Sequence, residues 1–442
     1  MTLASSVRSY QFIDHAQAVS PFDYPTGCHN SQATSEHRPQ AYTLRAIVNR
    51  ENLVCVLKKR RNSSGQGPGI DGVTFSTISI SEFADAAETV CELIYEGRWR
   101  PRRSRRVGIP KDGGRPRPID MRCLVDKMVS SAVAEETADR IDPILAPGCY
   151  GYRKKRCIHG LFAEIAYRAE VDGLTVIAQG NIENAFPSVR IAHAVEDYSR
   201  HVIDPGLLHL IEVILRGHDQ SRERGMDQGD PLSPPTFIQR LNNVLNLPTS
   251  LSTDSDTTQR YWYADNFVYQ SRSVTEAQQA LQLDCDLLQQ HELPFKGEDN
   301  FPVDLRRTNS SIEVLGLKLS LGSHGIEFGR KRKAYRKLAA KLDRAHGAPD
   351  TSMAVRKVIQ GWIEALGPVF ESNGVSEVLD TIRGVAARQG FREIGSQEQL
   401  QRIAMESLCH WNLVKESVFQ KLRQSGSQEN DLLGAPLPST CP

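Results

Sequence analysis

No stretch of this sequence approaches the roughly 18 uninterrupted apolar residues that a membrane span needs. Its start, MTLASSVRSYQF, also lacks the apolar core of a secretory signal. The expectation is a protein that works in the cytoplasm and does not contact a membrane. Paired cysteines are missing too. The nine cysteines (28, 55, 91, 123, 149, 157, 285, 409 and 441) stand apart and form no C-x-x-C pair, which argues for reduced thiols and against a zinc finger or a disulfide frame. Net charge is nearly absent, at +1 from 54 Lys and Arg against 53 Asp and Glu. Low complexity is not the reason for these gaps: hydrophobic residues make up 39% and charged residues 24%, the composition of a folded globular chain.

The near-zero total hides local asymmetry. From Arg98 to Lys127 there are eleven Lys or Arg against three Asp, and from Arg330 to Arg344 eight against one. Either run alone is most simply a solvated face. Two of them flanking one catalytic-looking block read as phosphate tracks. The 442 residues suffice for about two to four packed subdomains.

Helical spacing runs from Leu44 through Ile47, Leu53 and Val56 to Leu57, then breaks at the glycine-rich NSSGQGPGIDGVT. A second amphipathic stretch covers Ile80 to Tyr95. VGIP and RPID flank KDGG as a hairpin turning at Asp112 to Gly114. Residues 124–142 and 157–170 read as helices, TVIAQGNI as a buried strand, and YWYADNFVYQ as a tight aromatic-rich hairpin. Arg330 to Ala345 has the pattern of an amphipathic basic helix, apolar at Tyr335, Leu338, Leu342 and Ala345. The final twenty residues read as a loose tail.

Nucleotidyl transfer needs acids that hold two divalent ions about 3.5 to 4 Å apart, so acids at strand ends are the first candidates. Asp265 in YADN sits at a hairpin turn, although Asp-Asn is also a common turn pair with no chemistry attached. GNIENAFPSV supplies a second strand end, from Gly180 to Val189.

The blocks VGIPKDGGRPRPID, YGYRKKRCIHGLF, GNIENAFPSV, RGMDQGDPLSP, YWYADNFVYQ, LPFKGED and VLGLKLS occur in that order. They resemble the fingers and palm motifs of group II intron-like reverse transcriptases, and the similarity spans about residues 44–370. The resemblance implies an α+β fold, a right-hand polymerase with an N-terminal extension (1–43), fingers (44–165), a palm of antiparallel sheet plus helices (166–320), a helical thumb or maturase-like region (321–425) and a tail (426–442). It implies RNA-directed DNA synthesis with Mg²⁺ or Mn²⁺ and dNTPs, an RNA template or noncoding RNA as partner, and DNA as product. With no zinc-binding endonuclease module in view, it also suggests the compact relatives that act with a noncoding RNA in antiviral defence.

Residue by residue, the first metal-binding aspartate of the family falls on Asn181, and the YADD pair falls on Asp265 and Asn266. Phe186 matches the aromatic steric gate, whose bland alternative is a core ring. Lys111 and Arg117 match the cations that clasp the triphosphate. Gln228 matches the glutamine beside the incoming nucleotide, although Asp227 stands where the family usually has Pro. Lys296 matches the lysine placed to protonate the leaving pyrophosphate; a surface lysine is its alternative. Arg102, Arg103, Arg105 and Arg106, with Arg330, Lys333, Lys337 and Lys341, are the expected backbone contacts to nucleic acid.

Asparagine has nearly the shape of aspartate and none of its charge. The three positions together therefore bring about −1 rather than −3, and binding of a hard cation should suffer. The expectation is an inactive or severely impaired polymerase. The alternative is a non-catalytic RNA-binding maturase-like or scaffold protein.

Overall fold

The computed structural model describes residues 42–61, 67–109, 116–245, 258–296 and 301–433. The chain divides into two compact units. One comprises Met1–Ala146, Ile182–Pro248 and Leu287–Pro294, and the other Pro147–Asn181, Thr249–Asp286 and Phe295–Pro442. Among the described residues no helix is long and apolar enough to cross a membrane.

The first unit is mainly helical. The single helix expected from Leu44 to Leu57 is two, Leu44–Ile47 and Arg50–Arg61. Val48 leaves the helix in an extended conformation. Asn49 then accepts a hydrogen bond from the Asn52 amide at 2.8 Å, restarting the helix as an Asx cap does. Apolar periodicity continues across the break, which is why the pattern alone reads as one helix. Ser79 and Glu82 form a reciprocal capping box at the start of Ile80–Tyr95. Leu124–Ile141 buries nearly its whole length, including Asp126, Ser130 and Ser131. The basic hairpin is present as strands Arg105–Ile109 and Arg117–Met121, antiparallel with Val107 opposite Ile119. Its expected turn at Asp112 to Gly114 and Lys111 lie outside the described residues.

The second unit is built on a five-stranded sheet. Thr258–Tyr263 pairs with Asn266–Ser271, which pairs with Val176–Ile182; that strand in turn carries the short strands Phe295–Lys296 and Val303–Asp304. Helix Ile158–Val171 contributes Leu161, Phe162 and Ile165 to a core shared with Ile177, Val268, Leu319, Phe328 and Trp411. A second sheet of three antiparallel strands, Ile312–Val314, Leu317–Gly322 and Gly325–Gly329, leads into helix Arg332–Ala345. That helix buries Leu338, Leu342 and Ala345, as its spacing predicts. Its half-buried Tyr335 ring stands 5.2 Å from Trp362. The last helix is Gln397–Leu433, so regular structure extends into the segment that reads as tail. A weakly apolar, Gln- and Ser-rich end hides this continuation from a period-based reading.

Candidate active site

In the second unit, Tyr263 and Asn266 close a hairpin whose two loop residues are Ala264 and Asp265. Ala264 takes φ 57°, a left-handed conformation that costs a non-glycine residue energy and that clusters where function over-determines the backbone. On the neighbouring strand Asn181 stands directly opposite Asn266 in the antiparallel register. The three positions singled out from the sequence as the metal site therefore lie together at one end of these paired strands. Asn181 is exposed, while Asp265 and Asn266 are half-buried.

The strand that presents Asn181 needs Gly180. A Cβ there would fall 2.0 Å from the Phe295 ring. Phe295 packs at 5.4 Å, edge to face, on Phe267, and its neighbour Lys296 points outward from the same short strand, exposed. Lys296 thus lies one strand away from Asn181, on the side opposite the Asp265 turn.

The donor set does not suit a pair of hard cations. Asn266 Nδ2 donates to Asp265 Oδ1 at 3.0 Å, so one oxygen of the lone carboxylate already accepts an amide proton. Among the described residues no group of three or more His, Cys, Asp or Glu comes together to hold a metal. An amide oxygen can contribute a single neutral ligand to Mg²⁺ or Ca²⁺, but two amides and one carboxylate bring about two fewer negative charges than three carboxylates would.

In the first unit, Phe186 and Gln228 are tied together through backbone. The Met226 amide donates to the Phe186 carbonyl at 3.0 Å, and the Asp120 amide donates to the Gln228 carbonyl at 2.6 Å. Asp120 belongs to the strand that begins at the exposed Arg117. The segment from Met226 to Gln228 is thereby held between Phe186 and the strand Arg117–Met121. Gly229 makes the approach possible: at φ 107°, it would place a Cβ 2.9 Å from Ile119. The Phe186 ring, half-buried, lies 5.3 Å from Phe237.

Asp227, where proline is usual, explains itself here. It is buried and ion-paired to Arg122 at 3.2 Å and to Arg222 at 2.7 Å. Arg122, 2% exposed at its side chain, also lies 2.7 Å from Asp230. Asp230 accepts from the Ser130 hydroxyl at 2.8 Å. Burial drives the Asp230 carboxyl upward, with Arg122 opposing it, and the surrounding aspartates hold the Arg122 guanidinium above its ordinary value despite its burial. This network clamps both ends of the Gln228 turn. Sequence reasoning misses it, and the only signal is the pair of aspartates bracketing Gln228-Gly229.

The expected phosphate contacts fall into two sorts. Arg106 pairs with Asp120 through two hydrogen bonds of 2.9 and 3.3 Å, and this pairing raises its pKa. Arg105 donates to the Pro68 carbonyl. The Arg102 amide donates to Asp126, and its side chain approaches Asp71. Arg103 is exposed. In the second unit Lys333, Lys337 and Lys341 are exposed along one helix. Arg330 instead is half-buried, donates to the Gly316 carbonyl at 2.8 Å and lies 5.2 Å over the Trp362 ring.

A family model described as reverse transcriptase (RNA-dependent DNA polymerase) matches residues 109–298. Among curated proteins, Protein YkfC of Escherichia coli (strain K12) is 24% identical over 242 residues, covering 52% of this chain and 63% of that protein. Solved structures with similarity include apo telomerase from Candida tropicalis, at a TM-score of 0.41 and 10% identity over 75% of this chain and 66% of that one. A partial Cas6-RT-Cas1–Cas2 complex gives a TM-score of 0.34 and 19% identity over 60% of this chain and 44% of that one.

Proposed function

From the match of residues 109–298 to a reverse transcriptase family model, on an α+β fold with a right-hand polymerase layout, we propose that this chain binds RNA as a group II intron-like reverse transcriptase does. We further propose that its own polymerisation chemistry is silenced or severely weakened at Asn181 and Asn266. The observation that carries this reading is the Asn266 amide donating to Asp265, with Asn181 opposite it in register. Where three carboxylates would repel one another until divalent cations arrive, this end of the sheet is already satisfied without them.

The remaining equipment suits nucleotide handling. Arg117 offers a planar cation for phosphate oxygens, Gln228 a polar edge, Phe186 a ring that crowds a ribose 2′-hydroxyl, and Lys296 a proton donor. Lys111 completes this set in sequence. A site with three acids would use Mg²⁺ or Mn²⁺ to orient substrate and neutralise developing charge. The substrates are then dNTPs, the template RNA and the product DNA. A noncoding RNA partner and a role in antiviral defence, which the resemblance suggests, belong to the same proposal.

The test is primer extension on an RNA template by this chain and by its N181D/N266D variant, alongside RNA binding by both. Binding by both with synthesis by the variant alone supports the reading. Robust synthesis by the unaltered chain would overturn it. Silence of a variant that still binds RNA favours the non-catalytic scaffold.

A further inference from the structure

The motif YGYRKKRCIHGLF has a placement that the nucleotide site does not use. Its first residue and the two before it, Gly148 and Cys149, run beside the hairpin strand Thr258–Tyr263 as a short parallel extension. The Trp262 amide donates to the Gly148 carbonyl at 2.9 Å, and the Tyr150 amide donates to the Trp262 carbonyl at 2.9 Å. Both glycines are required for this approach. A Cβ at Gly148 would sit 2.0 Å from the Arg260 carbonyl oxygen, and one at Gly151 2.2 Å from the Ala264 amide nitrogen.

Backbone is therefore pressed against the turn that holds Asp265, and the next residue emerges beside that turn. It is Tyr152, at φ 59° and 45% exposed. The two tyrosines of the motif have opposite fates. Tyr150 is 2% exposed, its hydroxyl donates to the buried Glu164, and the Arg156 guanidinium lies 5.0 Å over its ring. Tyr152 instead presents an aromatic surface to solvent from a backbone conformation that only a rigid surrounding holds in place.

Four cations follow it without interruption, Arg153 to Arg156, and no acid occurs between Cys149 and Ile158. Arg153 turns back to the Cys149 carbonyl at 3.2 Å and braces the loop. Lys154 and Lys155 are exposed. An exposed ring with adjacent solvent-facing cations on a braced loop is the arrangement that binds single strands, where the ring takes a base face and the cations take phosphates.

We propose that Tyr152 is a stacking platform for an unpaired base of bound RNA beside the Asp265 turn, with Lys154 and Lys155 holding the flanking phosphates. This rests on the nucleic-acid reading above. The experiment uses the full chain and a single-stranded RNA of about twelve nucleotides, a length within one single-strand binding site, carrying 2-aminopurine at successive positions. Affinity is measured across a salt series, and fluorescence quenching reports stacking.

At one probe position the unaltered chain should quench 2-aminopurine. Y152A and Y152G should lose that quenching and bind on the order of tenfold more weakly at an unchanged salt slope, while Y152F and Y152W retain both. Glycine accepts the left-handed backbone, so a loss seen with Y152G does not come from strain. K154A/K155A should keep the quenching and lower the salt slope by about 1.4, at roughly 0.7 per phosphate on a single strand. If Y152G leaves either quenching or affinity unchanged, the platform is wrong while the nucleic-acid reading stands. If the unaltered chain shows no salt-dependent RNA binding, both fall together.

Discussion

Replacing Asn181 and Asn266 by aspartate should turn a metal-indifferent end of the sheet into a metal-dependent one, and the size of the change follows from the geometry. In N266D a 3.0 Å amide-to-carboxylate hydrogen bond becomes a contact between two carboxylates. Two like charges about 4 Å apart repel by roughly 1 kcal/mol in water and about 4 kcal/mol at an effective dielectric near 20. Asp265 and position 266 are half-buried, so the metal-free cost lies between those limits. N181D adds a third charge directly across the register from 266. Without divalent cation the double variant should melt several degrees lower than the unaltered chain, at about 2 to 4 °C per kcal/mol for a unit of this size. Mg²⁺ or Mn²⁺ should restore that loss in the variant and leave the unaltered chain nearly unmoved. In primer extension the double variant should exceed the unaltered chain by on the order of a thousandfold or more. Either single restoration should recover only a small part, because ligands that hold ions jointly act as a unit. A melting temperature of the double variant that ignores divalent cation would refute the reasoning, whatever the activity.

Three further outcomes are expected. Neutralising Lys333, Lys337 and Lys341 together should lower the salt slope of RNA binding by about 2 to 3, at ~0.7 to 0.9 per phosphate, and a slope unchanged in a salt titration would remove this helix from the interface. In the restored enzyme Phe186→Ala should raise ribonucleotide use relative to deoxyribonucleotide use by about tenfold or more; equal use before the substitution would make Phe186 an ordinary ring packed on Phe237. Arg122→Met should cost about 3 to 5 kcal/mol in chemical denaturation because it strands the buried Asp227 and Asp230. A cost below about 1 kcal/mol would mean that the network contributes little to holding the Gln228 turn.

The hairpin is legible in the sequence because its strands are short, aromatic and separated by a polar turn, and its partner strand opens on the apolar run Val176–Ala178 before Gln179, Gly180 and Asn181. The amphipathic face of Arg332–Ala345 is equally plain, since its buried positions follow the helical period. Local period cannot report the break at Val48-Asn49, where both helices keep their apolar face and only an Asx cap marks the restart. Nor can it report which cations are committed. Arg330 and Lys333 look alike in a basic run, yet one lies over Trp362 and the other is exposed. Partner choice is a tertiary fact, as is the ion network of Asp227.

The geometry around Asp265 is strict, although two of the three positions at this end of the sheet carry no charge. Gly180 leaves room for the Phe295 ring, Gly151 lets backbone press on the Asp265 turn, and Ala264 takes a left-handed conformation. Each is a constraint that a substitution would readily break, and none depends on the charge at positions 181 or 266. Asn266 meets Asp265 with a hydrogen bond where a second carboxylate would meet it with repulsion. Shape and charge are therefore separable at this end of the sheet. Restoring the charge tests chemistry alone, because the scaffold that would position the acids does not have to be rebuilt.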